Sequence, residues 1–385
     1  PIGGAVGALI GQGVDQLIFA PKGRQGPRLS DLAVQGSSYG QPLPRIHGRI
    51  RVAGQLIWAT DLKEKQTRSG GGKGQPSTTS YSYSASFAVA LSARPILGVR
   101  RIWADGKLLR SAGGAWLFPV KMRVHKGGED QAADPLIASA EGGATPAYRG
   151  LAYAVFEAMP LAEFGNRIPM LSFEVEADNG PVVGGSLIVD AANGLVEARG
   201  PVRQFGGFGV SGAGNLRALI ESLDVVGALS LTDDGTALRL EPSGGGVSQA
   251  IAADHLGAAN GNGKSARLMR SVRPDHRVAG VVALSYLDVD RDYQNGLQRA
   301  SAGTAAAREE RIELPAALAA TTAKAIADYY LATLGARRRT ATISLPIADA
   351  RFRPGDLLDL PGEAGRWTVR RWSLEDAVVT LDLAQ

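Results

Sequence analysis

Polar and apolar side chains alternate one by one over residues 81–91 (YSYSASFAVAL). A period of two puts every second side chain on one face, so this stretch predicts a β-strand. Shorter β runs precede it: Ile46, Ile50 and Val52, then Leu56, Ile57 and Trp58 after a turn at Gly54-Gln55. In 99–110 (VRRIWADGKLLR), Asp105-Gly106 separates two apolar runs, which predicts a type I′ hairpin. Residues 151–160 and 169–177 read as further strands. The segment 127–150 between them turns to loop with one short helix at 135–141, and reads as an insertion. Asp178-Asn179-Gly180-Pro181 marks a module boundary.

Beyond it the periods mix. Residues 187–189 read as a strand, and Leu216, Leu219, Ile220 and Leu223 recur at helical spacing. Asp233-Asp234-Gly235 turns a hairpin between 228–231 and 237–240. A strand is expected at 278–289. Pro315 suits the first position of a helix continued by Leu318, Thr322, Ala325, Ile326, Tyr329 and Tyr330. Gly335 would stop that helix, with Arg337, Arg338 and Arg339 beside its negative end. Four short strands at 341–345, 357–360, 367–372 and 378–383 have the spacing of a small barrel.

The expected architecture is mainly β with α+β insertions: two small β-barrel domains, a smaller α+β module and an N-terminal helix. Residues 1–35 would be the helix and a linker, and 36–178 the first barrel with its insertion at 127–150. Residues 180–270 would be the α+β module, and 271–385 the second barrel with an inserted helix at 315–334.

Two polar-poor or glycine-rich stretches stand out. The chain opens at Pro1 without a methionine, as a fragment or trimmed chain would. Its first residues place Gly3, Gly7 and Gly11 at the small-xxx-small spacing of close helix packing, with Ile10, Val14 and Leu17 near that stripe. The run is too short to span a bilayer and lacks the basic start of a signal peptide. Two readings stay open: a helix that packs against a partner or lines a narrow channel, and a frayed or locally packed terminus. The loop RSGGGKGQPSTTS, with Gly70, Gly72, Lys73 and Gln75 at its centre, is expected to reach a neighbouring protein.

Composition narrows the chemistry. There is no cysteine, which excludes disulfides, iron–sulfur clusters, cysteine–zinc sites and thiol catalysis. Four widely separated histidines (His47, His125, His255 and His276) argue against a histidine metal centre. The net charge of +5 comes from 42 basic and 37 acidic residues spread along the chain, unlike the concentrated patch of a dedicated nucleic-acid binder. Arg outnumbers Lys 33 to 9, a bias suited to multi-donor contacts at interfaces.

No motif completes a catalytic or cofactor site. Gly207-x-Gly209-x-x-Gly212 has the glycine spacing of a dinucleotide loop but follows ARGPVRQF instead of an apolar strand. Gly70-Gly-Gly-Lys73-Gly74 lacks the phosphate-loop spacing and its hydroxyl residue. Ser211 lacks the second glycine of a nucleophile elbow, since Ala213 stands there. Asp288-Val-Asp290-Arg-Asp292 begins like a calcium loop, but Tyr293 and Arg299 replace its glycine and glutamate. No enzyme activity, cofactor or metal is expected.

Longer phrases carry a resemblance. SSYGQPLPRIHGRIRVAGQLIWATDLKE, GGGKGQPSTTSYSYSASFAVALSARPI and RIWADGKLLR resemble phage tail proteins of the tail-tip or baseplate hub family. They are similar to the large "megatron" hub proteins of gene transfer agents. GLAYAVFEAMPLAEFGNRIPMLSFEV and FRPGDLLDLPG are similar to the same family. The resemblance implies a homotrimeric ring of paired β-barrels that matches a threefold hub to a sixfold tail tube. It implies contacts with the distal tail protein, the tape-measure protein and other baseplate proteins or fibres. DNA would cross the channel without specific binding, reaching the host envelope from a virion or gene-transfer-agent particle made in the bacterial cytoplasm. The near-balanced charge fits such a channel, because many phosphate contacts would retain DNA. Nothing matches the glycoside-hydrolase-like or receptor-facing parts of the larger family members. Two other classes stay open: a receptor- or carbohydrate-binding module with exposed aromatics such as Trp103 or Trp116, and a peptidoglycan-degrading tail enzyme with paired carboxylates.

Overall fold

The computed structural model describes residues 42–69, 78–142, 145–198, 203–210, 216–227, 229–233, 235–243, 246–259, 267–274, 278–303 and 308–385. The chain is mainly β, in several open sheets. No sheet among the described residues closes on itself, so the expected barrels are open sheets packed on other layers.

The first stretch supplies β1 (Arg45–Ala53), β2 (Gln55–Ala59), β3 (Lys63–Ser69), β4 (Thr78–Ser92), β5 (Gly98–Ala104), β6 (Lys107–Arg110), β7 (Lys121–Lys126), α1 (Pro135–Glu141), β8 (Ala152–Pro160) and β9 (Leu171–Glu176). Gly54 is a corner and not a hairpin turn: β1 runs in one sheet, and β2 leaves to pair with β4 in another. A side chain at Gly54 would strike the Phe173 ring, so only glycine allows the chain to turn there. The two sheets form a sandwich. Phe87 stacks on Phe156 at 4.9 Å, and Phe156 meets Phe173 of the opposite sheet at 6.1 Å. The Asp105-Gly106 turn has both residues at positive φ, as a type I′ hairpin requires.

The alternation in β4 has a second use. Phe87, Val89 and Leu91 enter the sandwich, while Ala88 on the other face is buried with Tyr153, Val155 and Ile137 of α1. The 127–150 segment thus covers the back of the sheet, and small residues on that face leave room for its helix.

The middle of the chain forms β10 (Val182–Val183), α2 (Gly184–Ala191), β11 (Val196–Ala198), β12 (Gln204–Phe205), β13 (Gly207–Val210), α3 (Leu216–Asp224), β14 (Leu229–Asp233) and β15 (Leu238–Pro242). The expected strand at 187–189 lies inside α2. Its β-branched Ile188 and Val189 favour a strand locally, but Gly184, Leu187, Ile188 and Ala192 are buried at helical spacing against a core.

The remainder gives β16 (Gln249–Ala250), β17 (Met269–Val272), β18 (Ala279–Asp288), β19 (Gln294–Ser301), β20 (Arg308–Leu318), α4 (Ala320–Ala336), β21 (Arg339–Pro346), β22 (Leu357–Asp359), β23 (Trp367–Glu375) and β24 (Val378–Ala384). The inserted helix begins later than its sequence pattern. Pro315 lies within β20, where the pairing with β18 shifts register between Ser285 and Leu287, and such a bulge tolerates a residue without an N–H. Gly335 does not stop α4, which runs through it to Ala336 and ends at Arg337.

An eight-stranded sheet ordered β19-β18-β20-β13-β1-β9-β5-β6 spans two cores. Its β1-β9-β5 half faces the first sandwich, and its β13-β20-β18 half is covered by α2, α3 and α4. A six-stranded sheet, β16-β22-β23-β24-β21-β17, holds a third core around Ile343, Phe352, Val369 and Leu381. The chain therefore changes sheets within 271–385: β18 to β20 belong to the large sheet and β21 to β24 to the six-stranded one.

Candidate functional site

A dense polar cluster lies on the face of β1, β9 and β5 opposite the sandwich core. In register, Arg49 faces Glu176 and Arg51 faces Glu174. A register shift between Val99 and Ile102 bulges β5, and the consecutive residues Arg100 and Arg101 then reach the same two carboxylates. Arg100 donates to Glu176 through Nε (2.8 Å) and Nη2 (3.1 Å). Arg101 donates to Glu174 at 2.6 Å. Glu174 is 4% exposed, and the Tyr293 hydroxyl also donates to it at 3.1 Å. Arg51 lies over the Trp103 ring at 3.9 Å and donates to the Asp292 carbonyl at 3.1 Å. Arg101 also pairs with the Asp292 carboxylate.

The turn 288–293 that closes this cluster is the segment with the calcium-loop beginning. Asp288 is buried, and its carboxylate accepts from the Asp290 N–H at 3.0 Å. Asp292 and Tyr293 both have positive φ, which bends the chain sharply onto the sheet. Asp288 is engaged by backbone and Asp292 by arginine, and among the described residues no group of His, Asp and Glu has the arrangement of a metal site. Hydrogen bonding by Arg100 first, and then by Arg49, holds the Glu176 carboxyl below its usual range. Burial pushes the Tyr293 phenol up. The cluster is suited to fixing one sheet half to the next.

Two smaller polar centres reinforce the same sandwich. His47 is 4% exposed, and burial is the main cause that lowers its pKa to about 4. It sits 3.5 Å from Asp190 of α2, which also accepts from Arg45 at 2.8 Å. Beside it, Arg94 makes a two-point pair with Asp178 at 2.8 and 2.9 Å. Asp134 is fully buried at the start of α1, where it accepts from the Leu136 and Ile137 N–H groups. Burial opposes its charge, yet hydrogen bonds from Arg123 and His125 bring its pKa down to about 2. His125 stacks on Tyr153 at 4.4 Å. None of these centres was singled out from the sequence. A signal was available only in part, as the Asp134-Pro135 helix start.

The residues proposed from sequence fall elsewhere. Gly3, Gly7, Gly11, Ile10, Val14 and Leu17 lie outside the described residues, as do Gly70, Gly72, Lys73 and Gln75. The strands that flank the second group are described: β3 and β4 pair from Lys63↔Ser84 to Ser69↔Thr78. Residues 61–65 at the base of this ribbon are exposed. Trp103 is buried beneath Arg51, and Trp116 is 36% exposed beside Arg110, so neither forms an open aromatic groove. No helix among the described residues is long and apolar enough to cross a membrane.

Residues 215–372 match the family of putative phage tail proteins. The whole chain is similar in structure to a protein of the virion of a native gene transfer agent particle. The two are 28% identical with a TM-score of 0.77, over 99% of this chain and 95% of that one. A tail protein from Neisseria meningitidis MC58 is more distant, at 11% identity and a TM-score of 0.37 over 88% and 97% of the two chains. The 43 kDa tail protein of prophage MuSo2 from Shewanella oneidensis stands at 9% and 0.35, over 78% and 89%. No curated protein matches the chain. A fold shared along nearly the whole length with a gene-transfer-agent virion protein, and a tail-family match across 215–372, make this chain similar to structural tail proteins of phages and gene transfer agents.

Proposed function

We propose that the chain is the hub of the tail tip: a homotrimeric ring that caps the tail tube and leaves a channel for DNA. The observation that supports this most is the full-length likeness to a virion protein of a gene transfer agent. In this reading the ring contacts the distal tail protein on one side and the tape-measure protein at its axis, with other baseplate proteins or fibres around it. Its role is non-enzymatic, in keeping with carboxylates that are tied up by arginine.

The glycine stripe Gly3, Gly7 and Gly11, with Ile10, Val14 and Leu17, is proposed to pack at the channel and help close it before DNA release. A helix so rich in glycine, almost uncharged apart from Asp15, is poorly stable alone, each Gly costing about 1 kcal/mol relative to Ala, so it needs a partner to be ordered. The loop with Gly70, Gly72, Lys73 and Gln75 is proposed to reach the distal tail protein. The antiparallel ribbon of β3 and β4 that carries it supports this, since an isolated two-stranded ribbon is marginal in water and gains from a docking partner.

The mass of the purified hub, or the copy number in assembled particles, tests the ring. Three copies are expected. A monomer in assembled tails, or six copies, would refute it.

A further inference from the structure

The chain passes from β17 of the six-stranded sheet to β18 of the large sheet, and returns from α4 to β21 at 336–339. The two crossings are clamped together. The Arg273 N–H donates to the Arg338 carbonyl at 3.0 Å, and Arg338 Nε donates back to the Arg273 carbonyl at 3.1 Å. Beside this clamp lies a cavity of about 310 Å³, lined by Arg273, Arg308, Arg337, Arg338, Glu310 and an apolar wall that includes Leu334.

The charge in this cavity is unbalanced. Arg337 is matched by Asp224 at 3.1 Å, and Glu310 accepts from the Tyr330 hydroxyl at 2.9 Å. Arg338 is engaged with the Arg273 carbonyl. Among the described residues, the exposed guanidinium groups of Arg273 and Arg308 have no carboxylate at ion-pair distance. Arg370 on β23 adds to the positive potential. Burial lowers its pKa first, and the neighbouring Arg337 charge lowers it further.

The shape decides which anion fits. A DNA duplex needs basic side chains spread over an open face that follows its phosphates. This cavity is small and has an apolar wall, which a phosphate chain leaves unused. One carboxylate on an otherwise apolar segment meets both surfaces at once. We propose that this groove binds an acidic peptide segment of a neighbouring protein, with Arg273 and Arg308 holding a carboxylate and Leu334 its apolar flank. Such a ligand would also tie the six-stranded sheet to α4. The inference does not depend on the ring or on the channel, because binding is a property of the isolated chain.

The test is fluorescence anisotropy of the full chain with a labelled ten-residue peptide of alternating Glu and Leu. The probes beside it are its Gln-for-Glu counterpart and a single-stranded DNA of equal length. The acidic peptide is expected to bind, more weakly as salt rises, and the Gln peptide to fail. Arg273→Ser and Arg308→Ser should each weaken binding by about fivefold, the upper range for an exposed charge pair. Arg217→Ser, on the exposed Arg217–Glu221 pair of α3, should leave it unchanged. Circular dichroism confirms that each variant folds. Equal binding of the Gln peptide, or no effect of the two arginines, overturns the proposal. Tighter binding of DNA with the same arginine dependence also overturns it, in favour of a nucleic-acid surface.

Discussion

Gly48 and Gly207 face each other across β1 and β13, at the point where β1 leaves β13 and takes β9 as its partner. Gly48 has φ +63°, and a Cβ there would lie 2.6 Å from the Gly206 carbonyl oxygen. A Cβ on Gly207 would lie 2.2 Å from the Arg49 carbonyl oxygen. The pair lets two backbones approach at the seam between the first and second cores. This is the physical use of the first glycine in the G-x-G-x-x-G pattern, which reads as a nucleotide loop only when its surroundings are ignored.

Gly207→Ala should therefore destabilise the chain by about 1–3 kcal/mol, as overpacking does. Gly98→Ala is the control, because a Cβ there meets nothing within 4 Å. It should stay within about 0.5 kcal/mol of the parent. Urea unfolding of the two variants checks the contrast. Equal effects would remove the steric argument.

Stability should fall in two steps on acidification. His47 has an ordinary value of 6.5 and a folded value of about 4. The unfolded chain thus binds this proton first. The contribution of neutral His47 is present above pH 6.5 and is lost towards pH 4, up to about 3 kcal/mol. Asp134 moves from 3.8 to about 2, so its contribution is present above pH 3.8 and is lost as pH falls towards 2. His47→Gln should flatten the first step and spare the second. Unfolding free energies measured from pH 7 to 2 would show it.

The Glu174 cluster predicts a graded series. Tyr293→Phe removes one hydrogen bond to a carboxylate that keeps Arg101, and should cost about 1 kcal/mol. Glu174→Ala leaves Arg101 and Tyr293 without their buried acceptor, and should cost about 3–5 kcal/mol. Thermal unfolding of both variants ranks them. The reverse order would mean that the phenol carries the junction and the carboxylate does not.

Deleting residues 70–76 should leave the fold and its melting temperature close to the parent, because the β3–β4 pairing from Lys63↔Ser84 to Ser69↔Thr78 precedes the part of β4 that enters the first core. Particle yield should drop if the loop contacts the distal tail protein. Normal yield from the deletion would exclude that contact. In the same assay, Gly7→Leu together with Gly11→Leu should block assembly or DNA passage.

The sequence by itself determined most of the strands, because their signals are local. The period of two in β4, the Asp105-Gly106 turn and the four strands from β21 to β24 depend only on residues close in the chain. Asp134 before α1 and Pro135 at its first position likewise announce that helix. Where local preference and long-range packing compete, only the tertiary structure decided. Ile188 and Val189 favour a strand, yet burial at helical spacing makes that segment α2. Pro315 would start a helix, yet β18 and β13 hold it in a strand on either side of a bulge. Glu174, Glu176, Arg100 and Arg101 are ordinary charges in the sequence. They become one cluster because a bulge in β5 turns two neighbours to the same face, and because a turn more than a hundred residues later closes over them. Pairing at that distance depends on which sheets meet, and no local pattern encodes it.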